Sequence, residues 1–162
     1  MVALLAVGCG SSNSSSSTSA GGPNYQGAAT TSTAASSGAA TVDVASDPKL
    51  GQVLVDANGN TLYLFKKDES TESYCKGGCA GVWPPYTTSG NPKAGSGVTS
   101  SKLATLKRDD GSTQVVYAGH PLYTYTQDTK PGDDTGNGIS SFGAEWYALH
   151  TNGQEAETGG KS

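Results

Sequence analysis

Thr61-Leu62-Tyr63-Leu64-Phe65-Lys66-Lys67-Asp68 returns sixty positions later as Pro121-Leu122-Tyr123-Thr124-Tyr125-Thr126-Gln127-Asp128. Alternation along the first copy puts Leu62 and Leu64 on one face of a strand and Tyr63 and Phe65 on the other. Both faces are apolar, so the strand belongs in the middle of the fold. Before it, Gln52-Val53-Leu54-Val55-Asp56 reads as a strand and Ala57-Asn58-Gly59-Asn60 as a turn, the Asn-Gly pair being a strong hairpin signal. Shifting by sixty residues aligns Val55 with Val115, Gly59 with Gly119 and Phe65 with Tyr125. A second hairpin follows, Gln114 to Tyr117, turn Ala118-Gly119-His120, and Pro121 to Tyr125. Two copies are too few for a solenoid. The expectation is an all-β domain of two pseudo-symmetric β-hairpin repeats, about residues 50–87 and 110–150, sharing one core and meeting through their aromatic faces.

The composition bounds where this domain lies. No charged residue precedes Asp43, and beyond it both signs are interspersed to a net charge of −4, without the basic stripe that nucleic acid requires. The 23 glycines, with many Ser, Thr and Asn, suit short strands joined by turns. The β domain is expected over residues 46–153, with a disordered tail over 154–162. Residues 10–45 are mostly Ser, Thr, Ala and Gly with scattered Pro, Asn and Gln, which bury too little to fold and read as a disordered tether. Such a tether spans roughly 30–35 Å when coiled and about 120 Å when stretched. The run Ser14 to Ser19 is also of a composition that carries sugars. No stretch of about 20 apolar residues exists to span a bilayer.

Residues 1–9, Met-Val-Ala-Leu-Leu-Ala-Val-Gly-Cys, form an apolar run that ends in small residues before a cysteine. This resembles the lipobox of bacterial lipoproteins, which implies cleavage before Cys9 and attachment of lipid to its thiol. The run is short and lacks a preceding Lys or Arg, so the true start is expected upstream. The folded part is similar to the bacterial lipoproteins known as the secreted repeat of unknown function, marked by Tyr-x-(Phe/Trp/Tyr)-x-x-Asp. Here the motif is Tyr63, Phe65, Asp68 and Tyr123, Tyr125, Asp128. The likeness continues through Cys75-Lys76-Gly77-Gly78-Cys79-Ala80, Val82-Trp83-Pro84-Pro85, Arg108-Asp109-Asp110-Gly111, Tyr117 to Tyr123, and Trp146-Tyr147-Ala148-Leu149. The resemblance implies an extracytoplasmic protein attached to the bacterial cell membrane by lipid, and it implies no particular activity.

After each motif strand comes a loop opened by Asp68 or Asp128, then a strand marked by Trp83 or Trp146, the tryptophans reading as core residues. Cys75 and Cys79 are four apart, a separation that a turn or helix brings within disulfide reach, and outside the cytoplasm they should be oxidised. A loop this short implies only about 2 kcal/mol, so the bridge shapes the loop more than it holds the fold. A redox-active pair is the alternative, though the Cys-x-x-Cys device is absent, and Ala80 after Cys79 excludes a c-type haem motif. The equivalents in the second loop are Thr135 and Ile139, where Asp133, Asp134, Gly136, Asn137 and Gly138 supply turn chemistry instead. Between the units, Asn91 to Gly97 is a Gly-containing linker, and Ser101 to Leu106 forms a short helix or strand.

Asp68 and Asp128 each suit a latch that accepts backbone N–H groups of the following loop, an Asx-turn. A cation is the other reading. Asp133-x-Thr135-x-Asn137-Gly138 echoes half of a calcium loop, but its twelfth position is Ala144, with Glu145 one place late. Asp128, Asp133, Asn137 and His120 are the candidate metal ligands, and calcium is the only cofactor considered. His120 reads otherwise as a turn residue, and His150 has no evident partner. No nucleophile elbow, HExxH or phosphate loop is present.

The function expected is a membrane-anchored, non-enzymatic binding or scaffolding domain of the cell envelope, its partner an envelope protein or glycan. The alternative is a redox or metal-handling protein using Cys75, Cys79, His120 and the Asp128 to Asn137 loop. A third reading, a glycan-active enzyme, pairs Asp68 with Asp128 and requires carboxylates within about 10 Å of each other.

Overall fold

The computed structural model describes residues 38–158. The signal-like segment, Cys9, the tether up to residue 37 and the last four residues lie outside the described residues. Two hairpins organise the rest. In the first, β1 (Thr41–Asp47) pairs antiparallel with β2 (Gly51–Asp56) from Val42↔Asp56 to Asp47↔Gly51, and the chain returns as β3 (Tyr63–Phe65). The tether was expected to reach residue 45. Instead, Val42 and Val44 alternate along β1, and Val42 is fully buried against the hairpin.

A five-residue helix, α1 (Gly78–Val82), follows the first motif, and its chain continues extended from Trp83. The strand expected at Trp83 is thus not a regular one. Pro84 and Pro85 lack the N–H donors a ladder needs, leaving only the isolated pairings Pro85↔Tyr123 and Thr87↔Gln114. The Asn91–Gly97 linker contributes β4 (Lys93–Ala94), which lies parallel to β1. Ser100–Lys102 form a 3-10 turn that runs directly into β5 (Leu103–Lys107), so the Ser101 to Leu106 stretch supplies both helix and strand. Then β5 pairs with β6 (Thr113–Tyr117), and β6 with β7 (His120–Pro121). Finally β8 (Ile139–Ser141) pairs with β9 (Ala144–Ala148), and β9 with β3. The tail expected from residue 154 begins inside the fold. Glu155 bridges to Leu149, and Ala156 is fully buried with its N–H on the Ala148 carbonyl.

The two hairpins turn differently. Ala118 and Gly119 both take positive φ, 51° and 87°, in a two-residue turn closed by Tyr117↔His120. The first loop is one residue longer, Ala57-Asn58-Gly59, with Gly59 at φ 85° and its N–H on the Asp56 carbonyl. That extra residue moves the equivalence of the leading strands by one. Leu54, not Val55, occupies the place of Val115.

Each hairpin is completed by an extended segment from the other repeat. Leu62 N–H donates to the Leu54 carbonyl, Leu54 N–H to Leu149 and Leu149 N–H back to Leu62, at 2.9, 2.8 and 3.3 Å. The second triangle repeats it. Leu122 N–H donates to Val115, Val115 N–H to Tyr86 and Tyr86 N–H to Leu122, at 2.9, 2.8 and 2.8 Å. Leu149 belongs to the second repeat and Tyr86 to the first, so the closing segments are exchanged. Where the units meet, Tyr63 and Tyr123 trade both backbone hydrogen bonds, 2.9 and 3.0 Å, about a pseudo-twofold axis. The alternation read in β3 then divides the interior. Tyr63, Phe65, Tyr123, Trp83 and Trp146 fill one core, while Leu62, Leu64, Leu54, Val115, Leu122 and Leu149 fill the other.

Candidate functional site

The exchange of closing strands stacks four rings across the pseudo-twofold axis. Phe65 lies opposite Trp146 in the β3–β9 register, and the rings stack with centroids 4.2 Å apart. On the other side, Thr124 and Thr126 N–H donate to the Pro84 and Val82 carbonyls, which sets Tyr125 on Trp83 at 4.1 Å. The two indoles stack on each other at 4.0 Å and 4°. Tyr63 meets Trp83 edge-on at 5.4 Å, and Tyr123 meets Trp146 likewise at 5.2 Å. Each such contact adds about 0.5–1.5 kcal/mol beyond the area it buries. Gly136 closes the column because a Cβ there would stand 2.8 Å from the Trp83 ring and 2.9 Å from that of Tyr63.

The motif tyrosine of each repeat donates its O–H to the motif aspartate of the other. Tyr63 Oη binds Asp128 Oδ2 at 2.6 Å, and Tyr123 Oη binds Asp68 Oδ2. The second oxygen of each carboxylate latches its own loop farther along than an Asx-turn reaches. Asp68 Oδ1 accepts the Tyr74 N–H at 2.7 Å, and Asp128 Oδ1 accepts the N–H and hydroxyl of Thr135. Burial raises the pKa of both aspartates above the ordinary carboxylate value, against the pull of these hydrogen bonds. Burial and the facing carboxylate also hold Tyr63 and Tyr123 protonated well above the usual phenol range.

The two loops differ beyond the latch. Cys75 and Cys79 are joined by a disulfide with Cα atoms 5.2 Å apart, packed in the aromatic core. Arg108, the one arginine of the chain, is buried beneath this loop. Its guanidinium donates to Ser73 Oγ, Gln114 Oε1 and the Cys75 carbonyl, each at 2.6 Å, and Ser73 in turn bonds the Tyr123 hydroxyl at 2.6 Å. None of the three acceptors carries charge. Its nearest carboxylate, Asp110, stands 3.8 Å from Nε, which has no hydrogen-bond partner. In the second loop Asp133 Oδ2 accepts the Thr129 and Lys130 N–H groups, and Asn137 clamps Ala148 N–H and the Ala156 carbonyl.

These duties occupy the candidate metal ligands separately. Asp128 faces Tyr63 and Thr135, Asp133 holds its own turn, Asn137 binds backbone, and His120 sits in the second hairpin opposite Tyr117. Among the described residues no three His, Cys, Asp or Glu converge to hold a metal. Burial lowers the pKa of His120, while His150 Nδ1 lies 2.8 Å from the Gln52 carbonyl.

In the sequence Arg108 stands out only as part of the family likeness, Gln114 only as the start of the second hairpin, and Ser73 not at all. The available signal was Gln114 itself, a polar residue where the first repeat has Val53, which a buried strand admits only when it finds partners. Above Arg108 lies a cleft of about 320 Å³ between the disulfide loop and the β5–β6 turn, with Glu72, Lys76 and Asp109 among the residues around it. Lys76 Nζ reaches Asp109 Oδ2 at 2.6 Å and Glu72 Oε1 at 3.7 Å, linking the loop to the turn.

No curated protein and no solved structure matches the chain. A family model does, over residues 44–87 and 104–150, and these two matches are the two repeats that exchange closing strands. With more than half of its residues matched, the chain belongs to the lipoprotein family described as a secreted repeat of unknown function.

Proposed function

We propose that the protein is held outside the cytoplasm on a membrane through lipid on Cys9, and that its β domain is a non-enzymatic binding module. Family membership is consistent with the extracytoplasmic placement and the anchor. No helix among the described residues is long and apolar enough to cross a membrane. The binding reading rests on the cleft over Arg108. Its volume suits a small ligand, and the buried guanidinium in its lining lacks a carboxylate in hydrogen-bond contact. The ligand class this favours is a small molecule or peptide end bearing a carboxylate. Lys76 and Asp109, whose side chains are half and four-fifths exposed, form a weak ion pair that such a ligand opens at little cost.

Thermal unfolding of the full chain, titrated with small carboxylates and α-amino acids, tests the cleft. The expected result is a rise in Tm that Lys76→Ala abolishes. A flat response across the set, or a rise unchanged in the variant, refutes the site. Membrane fractionation of Cys9→Ala beside the wild type tests the anchor, and equal membrane association refutes it.

A further inference from the structure

The aromatic column carries an arrangement that core packing does not require. Placing a carboxylate against each of two buried phenols costs desolvation that apolar neighbours of the same size avoid. Yet both repeats do so, and both phenols lie edge-on to an indole of the stack. Tyr63, Trp83, Trp146 and Tyr123 form an unbroken path with successive ring centroids 5.4, 4.0 and 5.2 Å apart. Tyr125, stacked on Trp83 and half-buried, connects the path to solvent. Residues 38–158 contain no methionine, and their only two cysteines are joined in the disulfide. The softer oxidation sinks, thiol and thioether, are therefore missing from the described domain, and an electron deficit created there rests on indole or phenol.

We propose that this column is a one-electron relay that takes up oxidising equivalents at Tyr125 and stores them on Tyr63 or Tyr123, with Asp128 and Asp68 as the proton acceptors. The oxidant is of the peroxyl-radical class. It removes one electron from the column, takes a proton from water, which is left as hydroxide, and departs as a hydroperoxide. The deficit passes through Trp83 and Trp146 until a phenolic O–H bond breaks and its proton moves along the existing hydrogen bond to the carboxylate of the other repeat. The oxidised domain holds one neutral tyrosyl radical and one neutral aspartic acid. A one-electron reductant of the ascorbate class returns the electron, and the proton goes back to the tyrosine. The exchanged Tyr–Asp pairing gives each phenol its acceptor before oxidation, so no group has to move. None of the relay's rings or carboxylates lines the Arg108 cleft, and the two meet through Ser73, which bonds the Tyr123 hydroxyl and the Arg108 guanidinium.

Pulse radiolysis with azide radical as the oxidant tests this on the full chain carrying Cys9→Ser, which removes the one cysteine outside the disulfide. In this background the indolyl radical is expected to convert to phenoxyl at a rate independent of protein concentration. Tyr63→Phe with Tyr123→Phe is expected to slow the conversion roughly a hundredfold, since the phenol left on the column, Tyr125, stacks on Trp83 but is not among those hydrogen-bonded to a motif aspartate. Asp68→Asn with Asp128→Asn is expected to slow it roughly a hundredfold, the usual worth of a positioned proton acceptor. Near-ultraviolet circular dichroism of the stacked indoles verifies that each variant keeps the column. A conversion that scales with protein concentration, or that keeps its rate in either the Phe pair or the Asn pair, overturns the relay. The concentration dependence needs no variant at Tyr63, Tyr123, Asp68 or Asp128 and decides the matter even if those variants fail to fold.

Discussion

Tyr63→Phe removes one oxygen from the centre of the fold and leaves the ring against Trp83 and Tyr125. What is lost is the hydrogen bond to Asp128 Oδ2 at 2.6 Å and a long contact from the Gly136 N–H at 3.4 Å. A hydrogen bond to an ionised acceptor contributes about 1.5–3 kcal/mol, and the carboxylate oxygen left half-buried gains no replacement donor. The variant should therefore lose about 2 kcal/mol, roughly 6–10 °C in Tm for a domain of this size. Tyr117→Phe is the comparison, because that hydroxyl donates to the neutral Thr151 carbonyl at 2.7 Å and should cost only about 1 kcal/mol. Urea unfolding followed by circular dichroism measures both, and a double-mutant cycle with Asp128→Asn isolates the pair. A coupling of about 1–2 kcal/mol is expected for residues in direct contact across the two repeats. If Tyr63→Phe costs no more than Tyr117→Phe, or the cycle shows no coupling, the exchanged tyrosine–aspartate pair does not hold the repeats together.

Gly136→Ala drives a methyl into the Trp83 and Tyr63 rings and should cost about 1–3 kcal/mol with altered near-ultraviolet circular dichroism. Gly138→Ala meets no atom within 4 Å, so its cost of about 1 kcal/mol comes from φ +75° alone and should leave that spectrum intact. Because Asp68 and Asp128 have folded pKa values raised above the ordinary 3.8, the folded state holds more protons than the unfolded chain between those values. Their contribution to stability therefore grows as pH falls through that window and is lost as pH rises above the raised values. Asp110 and Asp133 are lowered and act in the opposite sense below 3.8. The urea midpoint of the wild type should rise on acidification from pH 7 toward about 4 relative to an Asp68→Asn, Asp128→Asn double variant. Parallel curves would disprove the assignment. Finally, fragments 38–102 and 103–158 should each be unfolded alone and regain strand circular dichroism when mixed, since each hairpin needs the other fragment's closing segment. A fragment that folds by itself contradicts the exchange.

Much of the local structure was legible because it depends on near neighbours in the chain. Period-two alternation at Leu62 to Phe65 foretold a strand buried on both faces, and Gly59 and Gly119 marked the turns that adopt positive φ. The ends of the domain were misplaced for a related reason. Thr41 to Ala45 looks like the low-complexity stretch before it, and only its pairing with β2 makes it a strand. Ala156 lies in a polar tail by composition but is buried beside Ala148. The one-residue difference between the turns was visible only once both hairpins had closed.

By itself the sequence determined that two like units with aromatic and aliphatic faces form one β domain of a secreted lipoprotein family. The tertiary structure alone decided that Trp83 serves the second hairpin and Trp146 the first, that Tyr63 binds Asp128 and Tyr123 binds Asp68, and that Arg108 lies under the disulfide loop. A repeat motif specifies which side chains face inward, since alternation is a property of a single strand. With two equal copies, every tyrosine has two chemically identical aspartates to choose from. Only the three-dimensional path of the loops, which brings each closing strand to the other hairpin, makes that choice.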